Sequence, residues 1–180
     1  MKIIAVITGD VIESKLFSQM ERDKLIEILD TLDNRLCTIS KTKTEIFRGD
    51  SFQIRVYNPF ESLRIAIAVR ALFRSNTFLN SNKQWDVRLS LGIGQSQYEK
   101  ENVGTSDGEA YRFSGYGLDN MTDERLHIAT PWAKINNEID VETAFADDII
   151  SSWTSKQSLA MFYYICTKES HVKIAKRMNI

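Results

Sequence analysis

The feature that most limits the fold is Ile3-Ile4-Ala5-Val6-Ile7, an unbroken apolar run closed by Thr8-Gly9-Asp10. A strand with one solvated face alternates, so a continuous run of this kind reads as a central strand buried on both faces, and the Gly-Asp step ends it with turn chemistry. Such a strand needs a layer on each side. A chain of 180 residues with 43% apolar content can supply both from one core, with no need of disulfides.

The following segments supply candidates for those layers. Over residues 20–39, Leu25, Ile28, Leu29, Leu32 and Leu36 recur at helical spacing and predict an amphipathic helix. Residues 42–47 and 52–57 read as two short strands around Arg48-Gly49-Asp50-Ser51, with Phe52, Ile54 and Val56 alternating against Gln53, Arg55 and Tyr57. This predicts a β-hairpin with Gly-Asp at its tip. After Asn58-Pro59, residues 62–79 are helical in composition and so apolar, with Arg64, Arg70 and Arg74 among few charges, that the helix is expected to touch more than the sheet. Residues 86–95 alternate Val87, Leu89, Leu91 and Ile93 against Arg88, Ser90, Gly92 and Gly94. One face can pack on helices, and the other is bare enough for a ligand or strand to approach closely.

Strand, helix, hairpin, helix, strand is the βαββαβ order of a ferredoxin-like fold, in which the first strand and the hairpin lie side by side. Asp10 and Asp50 are therefore expected to be neighbours. Beyond this core, residues 96–105 read as a polar loop and Ser106-Asp107-Gly108-Glu109 as a capping box opening a short helix. Residues 124–130 read as a fifth strand and 132–153 as helical stretches mixed with turns, followed by helices at 155–167 and 168–180. The expected class is α/β (α+β): a ferredoxin-like palm over residues 1–130, with a helical extension over 131–180.

Twenty-three basic against twenty-four acidic residues leave a net charge of −1, which excludes a uniformly basic nucleic-acid coat. Cys37 and Cys166 fit neither a disulfide framework nor a zinc site, and no run reaches membrane-spanning length, so a reduced, cytoplasmic setting is expected. In that setting the adhesion tripeptide Arg48-Gly49-Asp50 is a coincidence. His127 and His171 have no partners at metal-motif spacing.

Two carboxylates at adjacent strand ends can hold Mg²⁺ or Mn²⁺ through hard oxygen ligands, and such ions keep waters that a triphosphate replaces. The plain alternative is that Gly-Asp is ordinary turn chemistry at a strand end and a hairpin tip. For Arg112 the alternative is an exposed ion pair with Glu109, and the helix start at Ser106 is a ready anion site through its free N–H groups.

The segments Thr8-Gly9-Asp10-Val11-Ile12-Glu13-Ser14, Phe47-Arg48-Gly49-Asp50-Ser51-Phe52-Gln53, Arg88-Leu89-Ser90-Leu91-Gly92-Ile93-Gly94 and Gly108-Glu109-Ala110-Tyr111-Arg112 resemble the bacterial SatD family. Behind it stands a broader similarity to class III nucleotide cyclases and diguanylate cyclases. The resemblance implies Asp10 and Asp50 as metal ligands, with the Val11 carbonyl as a third. It also implies Arg112 as a phosphate or transition-state contact. Arg48 with Gly49 at the hairpin and the helix start at Ser106 are further candidate phosphate contacts, the plain alternative for Arg48 being that it balances the charge of Asp50.

Residues 167–180, with small Ala175 and Asn179, look like the first helix and turn of a helix-turn-helix, and Lys173, Lys176 and Arg177 are its candidate DNA contacts. The recognition helix that would read bases does not follow, so DNA is expected as a partner only where that motif is complete. A basic surface helix is the plain alternative.

The leading expectation is a regulatory protein that binds a nucleotide or phosphate ligand with Mg²⁺ or Mn²⁺. An active nucleotidyl cyclase or transferase is the second, and a scaffold dimerising through the helix at 62–79 the third.

Overall fold

The structure is a computed structural model that describes residues 2–98, 103 and 106–180. The apolar run becomes β1 (Lys2–Val11), in which Ile4, Ala5, Val6 and Ile7 are fully buried. Burial on both faces contributes about 1.5–3 kcal/mol for each large side chain, which is why this strand sits at the centre.

Around it the sheet runs β2 (Thr42–Arg48), β3 (Ser51–Val56), β1, β4 (Val87–Tyr98), all antiparallel, in the ferredoxin-like order. The outer edge of β4 carries two more strands. β5 (Asp107–Gly108) pairs near Ser96, and β6 (Leu126–Ala129) runs parallel against Leu89 to Gly92.

One face of the sheet is covered by α1 (Gln19–Asp30), α2 (Leu32–Leu36) and α3 (Ser62–Arg74), whose apolar residues join Ala5, Ile7, Phe52, Ile54, Leu89 and Leu91 in the main core. The segment expected as one helix over 20–39 breaks at Thr31, whose hydroxyl donates to the Glu27 and Ile28 carbonyls. At its start, Ser18 and Glu21 form a capping box, and Glu21 also accepts from the Leu79 amide. These bonds, the Ser18 hydroxyl first, hold the Glu21 carboxyl below its ordinary pKa.

Helix α3 is shorter than expected and almost wholly buried, packed between the sheet and α6 (Ser155–Thr167). Most of the apolar surface that the dimerising-scaffold expectation assigned to this helix is used inside the chain: Ile65, Ala66, Ala68, Val69, Ala71, Leu72 and Phe73 are buried, Ile67 is half-buried and Leu63 is exposed. Phe162, Ile165 and Cys166 of α6 belong to the same core as the sheet, so residues 131–180 do not form a core of their own there.

Helix α4 (Glu109–Asn120) covers the opposite face, where Ala110 and Tyr111 close over Ile4 and Val6. It fits because β4 is bare there: a Cβ on Gly92 would come within 2.2 Å of the Ala110 carbonyl oxygen and 2.6 Å of the Ser114 nitrogen. The close approach expected at the glycine face is made by this helix. Its N-terminus does not use the expected capping box. Gly108 occupies the cap position, and the Glu109 carboxylate accepts from the Gln95 amide instead.

The mixed region at 132–153 is one 20-residue helix, α5 (Ala133–Ser152), and α7 (His171–Arg177) closes the chain. The expected polar loop at 96–105 falls largely outside the described residues. Among the described residues, no helix is long and apolar enough to cross a membrane.

Candidate functional site

The C-terminal end of β1 and the tip of the β2–β3 hairpin meet as the topology requires. Asp10 pairs with Ser51, and the Val11 amide donates to the Asp50 carbonyl at 3.0 Å. The tip turns through Gly49, whose φ of 55° is one a side chain would strain and where a Cβ would meet nothing.

The two backbones converge, while the carboxylates line different hollows and bond different partners. Asp50 lines a hollow of about 300 Å³ between the 3₁₀ turn Ser14–Leu16, α1 and the hairpin tip. Its Oδ2 accepts from the Ser14 hydroxyl at 2.5 Å and its Oδ1 from Ser51 at 3.5 Å. Asp10 lines a second hollow of similar size with Val11, Ile12, Glu13, Arg88, Thr122 and Arg125. Both of its oxygens are taken by Arg88, Nε donating to Oδ1 at 3.0 Å and Nη2 to Oδ2.

A shared metal between Asp10 and Asp50 therefore does not fit this arrangement. A divalent ion needs free carboxylate oxygens converging on one point, whereas one carboxylate is clamped by a guanidinium and the other faces a different cavity. Among the described residues, no three His, Cys, Asp or Glu side chains are grouped to hold a metal. Val11, whose carbonyl was the third expected ligand, lines the Asp10 hollow and not that of Asp50, and its side chain is buried in the main core.

The Asp50 hollow has a different character. Lys15, Arg22 and Arg48 bring three cations against the single carboxylate, and Phe17, Leu25 and Ile26 supply an apolar side. Phe17 is held rigidly, stacked on Trp85 with ring centroids 4.5 Å apart and edge-on to Phe78 at 5.2 Å. The turn leading into the hollow is tight, since Glu13 adopts a left-handed φ of 56° while its carboxylate pairs with Lys83. A cationic rim over an apolar floor suits a ligand that is part phosphate and part planar ring.

Of the expected phosphate contacts, Arg48 and Gly49 line this hollow, whereas Ser106 and Arg112 line neither. Gly108 and Ser96 mark the end of the sheet where α4 begins, eight residues along β4 from Arg88, or roughly 26 Å at the usual rise. The Ser106 hydroxyl accepts from Arg55 at 2.5 Å, and Arg112 pairs with Asp107 at 2.7 Å rather than with Glu109. Register, not spacing in sequence, separates them from the hairpin.

Ser14, Lys15, Arg22 and Arg88 were given no role by the sequence. Ser14 closes the Asp10 segment and Lys15 follows it, so both were within reach of it, whereas Arg22 on α1 and Arg88 on β4 reach their hollows only through tertiary packing. At the other end of the chain, Lys173 and Lys176, the expected DNA contacts on α7, are exposed. Arg177 is engaged, donating to Glu169 at 2.8 Å and lying 5.1 Å over the Tyr163 ring.

The sheet order and the helices on its two faces define a cyclase-like palm with flanking helices. No family model and no curated protein matches the chain. Solved structures do match. The active GGEEF domain of a diguanylate cyclase from Vibrio cholerae aligns with a TM-score of 0.51 and 17% identity, over 72% of this chain and 83% of that one. The catalytic core of a rhodopsin-guanylyl cyclase with converted specificity, solved in complex with ATPαS, aligns with a TM-score of 0.51 and 11% identity, over 71% and 77% of the two chains. At these identities the likeness is one of fold.

Proposed function

We propose that this protein is a ligand-responsive regulatory protein that binds a nucleotide or related phosphate ester in the hollow at the hairpin tip, as the SatD resemblance would suggest. The observation that carries this reading is the set of three cations, Lys15, Arg22 and Arg48, gathered around an apolar floor of Phe17, Leu25 and Ile26. Phosphate oxygens meet the cations through charge-assisted hydrogen bonds, and the ring packs on the floor. The palm-type likeness supports the reading, since a nucleotide analogue is bound by one of the similar structures.

This binding scheme is drawn without metal, because Asp10 is clamped by Arg88 and lines a different hollow from Asp50. For the same reason binding without turnover is expected, which favours regulation over cyclase activity.

Calorimetric titration of the full chain with GTP, ATP, a cyclic dinucleotide and inorganic triphosphate tests this, with Arg48→Ala and Lys15→Ala alongside. A ligand at a hundred times its dissociation constant should stabilise the fold by about 2.7 kcal/mol. Saturable binding weakened by about tenfold in either variant is the expected result. Absence of binding by all four ligands would remove the nucleotide reading, and release of pyrophosphate from GTP or ATP would replace it with the cyclase one.

A further inference from the structure

Asp10 is held by a cation of the protein's own. Its register partner across the β1–β4 ladder is Arg88, and antiparallel pairing puts the two side chains on one face of the sheet. The guanidinium meets the carboxylate edge to edge through Nε and Nη2, while Nη1 donates to the Met121 carbonyl at the end of α4 at 3.2 Å. Three bonds to two elements fix the fork in place, which a lysine ammonium would not reproduce.

The surroundings favour a cation at this point. Glu124 and Asp119 act on the same guanidinium, and its pKa is raised, the hydrogen bond to Asp10 contributing most. Arg125, the other cation lining this hollow, donates to the Asp123 and Glu124 carbonyls. A divalent ion at Asp10 would have to break both guanidinium bonds and then sit against the displaced positive charge.

We propose that Arg88 is the resident counter-ion of Asp10 and the residue that keeps divalent metal out of this corner, so that removing its guanidinium turns the hollow into a cation site. The inference goes beyond nucleotide binding at the hairpin. It is tested without nucleotide, so either can fail while the other stands.

The experiment is calorimetric titration of Mn²⁺ into the full chain as wild type, Arg88→Gln, Arg88→Lys, Asp10→Asn and Arg88→Gln with Asp10→Asn. Thermal melts establish that each variant is folded. Arg88→Gln should bind Mn²⁺ at least about tenfold more tightly than wild type, and adding Asp10→Asn should abolish the gain. Arg88→Lys, which keeps a positive charge, should gain less than Arg88→Gln, and Asp10→Asn alone should leave the wild-type titration unchanged. The inference is overturned if Asp10→Asn weakens Mn²⁺ binding by the wild type, or if folded Arg88→Gln gains nothing. The wild type also gives an answer that needs no variant: the carboxyl ¹³C resonance of Asp10 should stay fixed during Mg²⁺ titration, and a saturable shift would overturn the inference.

Discussion

The Ser14 hydroxyl donates to the Asp50 carboxylate at 2.5 Å and so ties the turn after β1 to the tip of the β2–β3 hairpin. Ser14 is itself buried, so the bond is shielded from competing water. The cations lining the hollow come from both sides of this tie, Lys15 from the turn and Arg48 from the hairpin. Positioning by a shared bond lets two loops present one binding surface without either being rigid alone.

Ser14→Ala should therefore loosen the hairpin relative to the turn. A hydrogen bond to a charged group contributes about 1.5–3 kcal/mol, and partial exposure of Asp50 reduces this to about 1 kcal/mol. Urea unfolding should show that loss, and triphosphate affinity should fall by about fivefold as Lys15 and Arg48 lose their mutual placement. Unchanged affinity with reduced stability would show that the tie serves the fold alone.

A second anchor joins α3 to α5 and to the start of β4. Arg70 on α3 is fully buried and bonds Asp86 through Nε at 3.0 Å and Nη2 at 3.1 Å, Ser151 at 2.6 Å, and Asp147 of α5. Arg74 reinforces the junction, donating to Asp86 and to the Ser151 and Trp153 carbonyls. Breaking a buried ion pair from one side costs about 3–5 kcal/mol, because the partner charge is left without compensation. Arg70→Met should lose about 3 kcal/mol in urea unfolding, with Arg74 still neutralising Asp86. Faster hydrogen exchange along α5 would identify Asp147 as the carboxylate left stranded.

The two cysteines should be chemically distinct. Cys166 is buried in the α6 core, and desolvation pushes its thiol up to about 11, whereas Cys37 is exposed. One thiol should react with a disulfide reagent near neutral pH in the native protein, and two after unfolding in urea. The linkage has a definite sign. The unfolded chain loses this proton near ~8.5 while the folded chain keeps it, so the contribution to stability is fully present below ~8.5 and is lost as pH rises through the window to about 11.

What was legible in the sequence followed from periodicity. The run from Ile3 to Ile7, the heptad-like spacing of Leu25, Ile28, Leu32 and Leu36, and the alternation through Phe52, Ile54 and Val56 each answer to a local rule, and together they fix the βαββαβ order. Helix α5 was obscured because its apolar residues are split between faces: Ile150 is buried, whereas Val141, Phe145 and Ile149 are exposed. The site was legible only as far as its backbone. That Asp10 and Asp50 would meet follows from topology, but the partner of Asp10 depends on the β1–β4 register, and no local pattern announces that Arg88 stands opposite it.

The glycine face of β4 makes the last prediction. Gly92, fully covered by α4, leaves no room for a methyl group: the nearest atoms, at 2.2 and 2.6 Å, are both backbone of that helix, which cannot swing aside as a side chain tip could. Alanine there must push α4 off the sheet or bend β4, and overpacking of this kind costs about 1–3 kcal/mol or more. Gly115→Ala is the matched control, since a Cβ there meets nothing, and it should raise stability by up to about 1 kcal/mol through helix propensity alone. Displacing α4 also moves Met121, whose carbonyl holds Arg88, and Ser114, which accepts from Thr8 at 2.8 Å. Gly92→Ala should therefore disturb the Asp10–Arg88 pair from a distance, read as a changed Arg88 Nε–H resonance, whereas Gly115→Ala should leave that resonance in place.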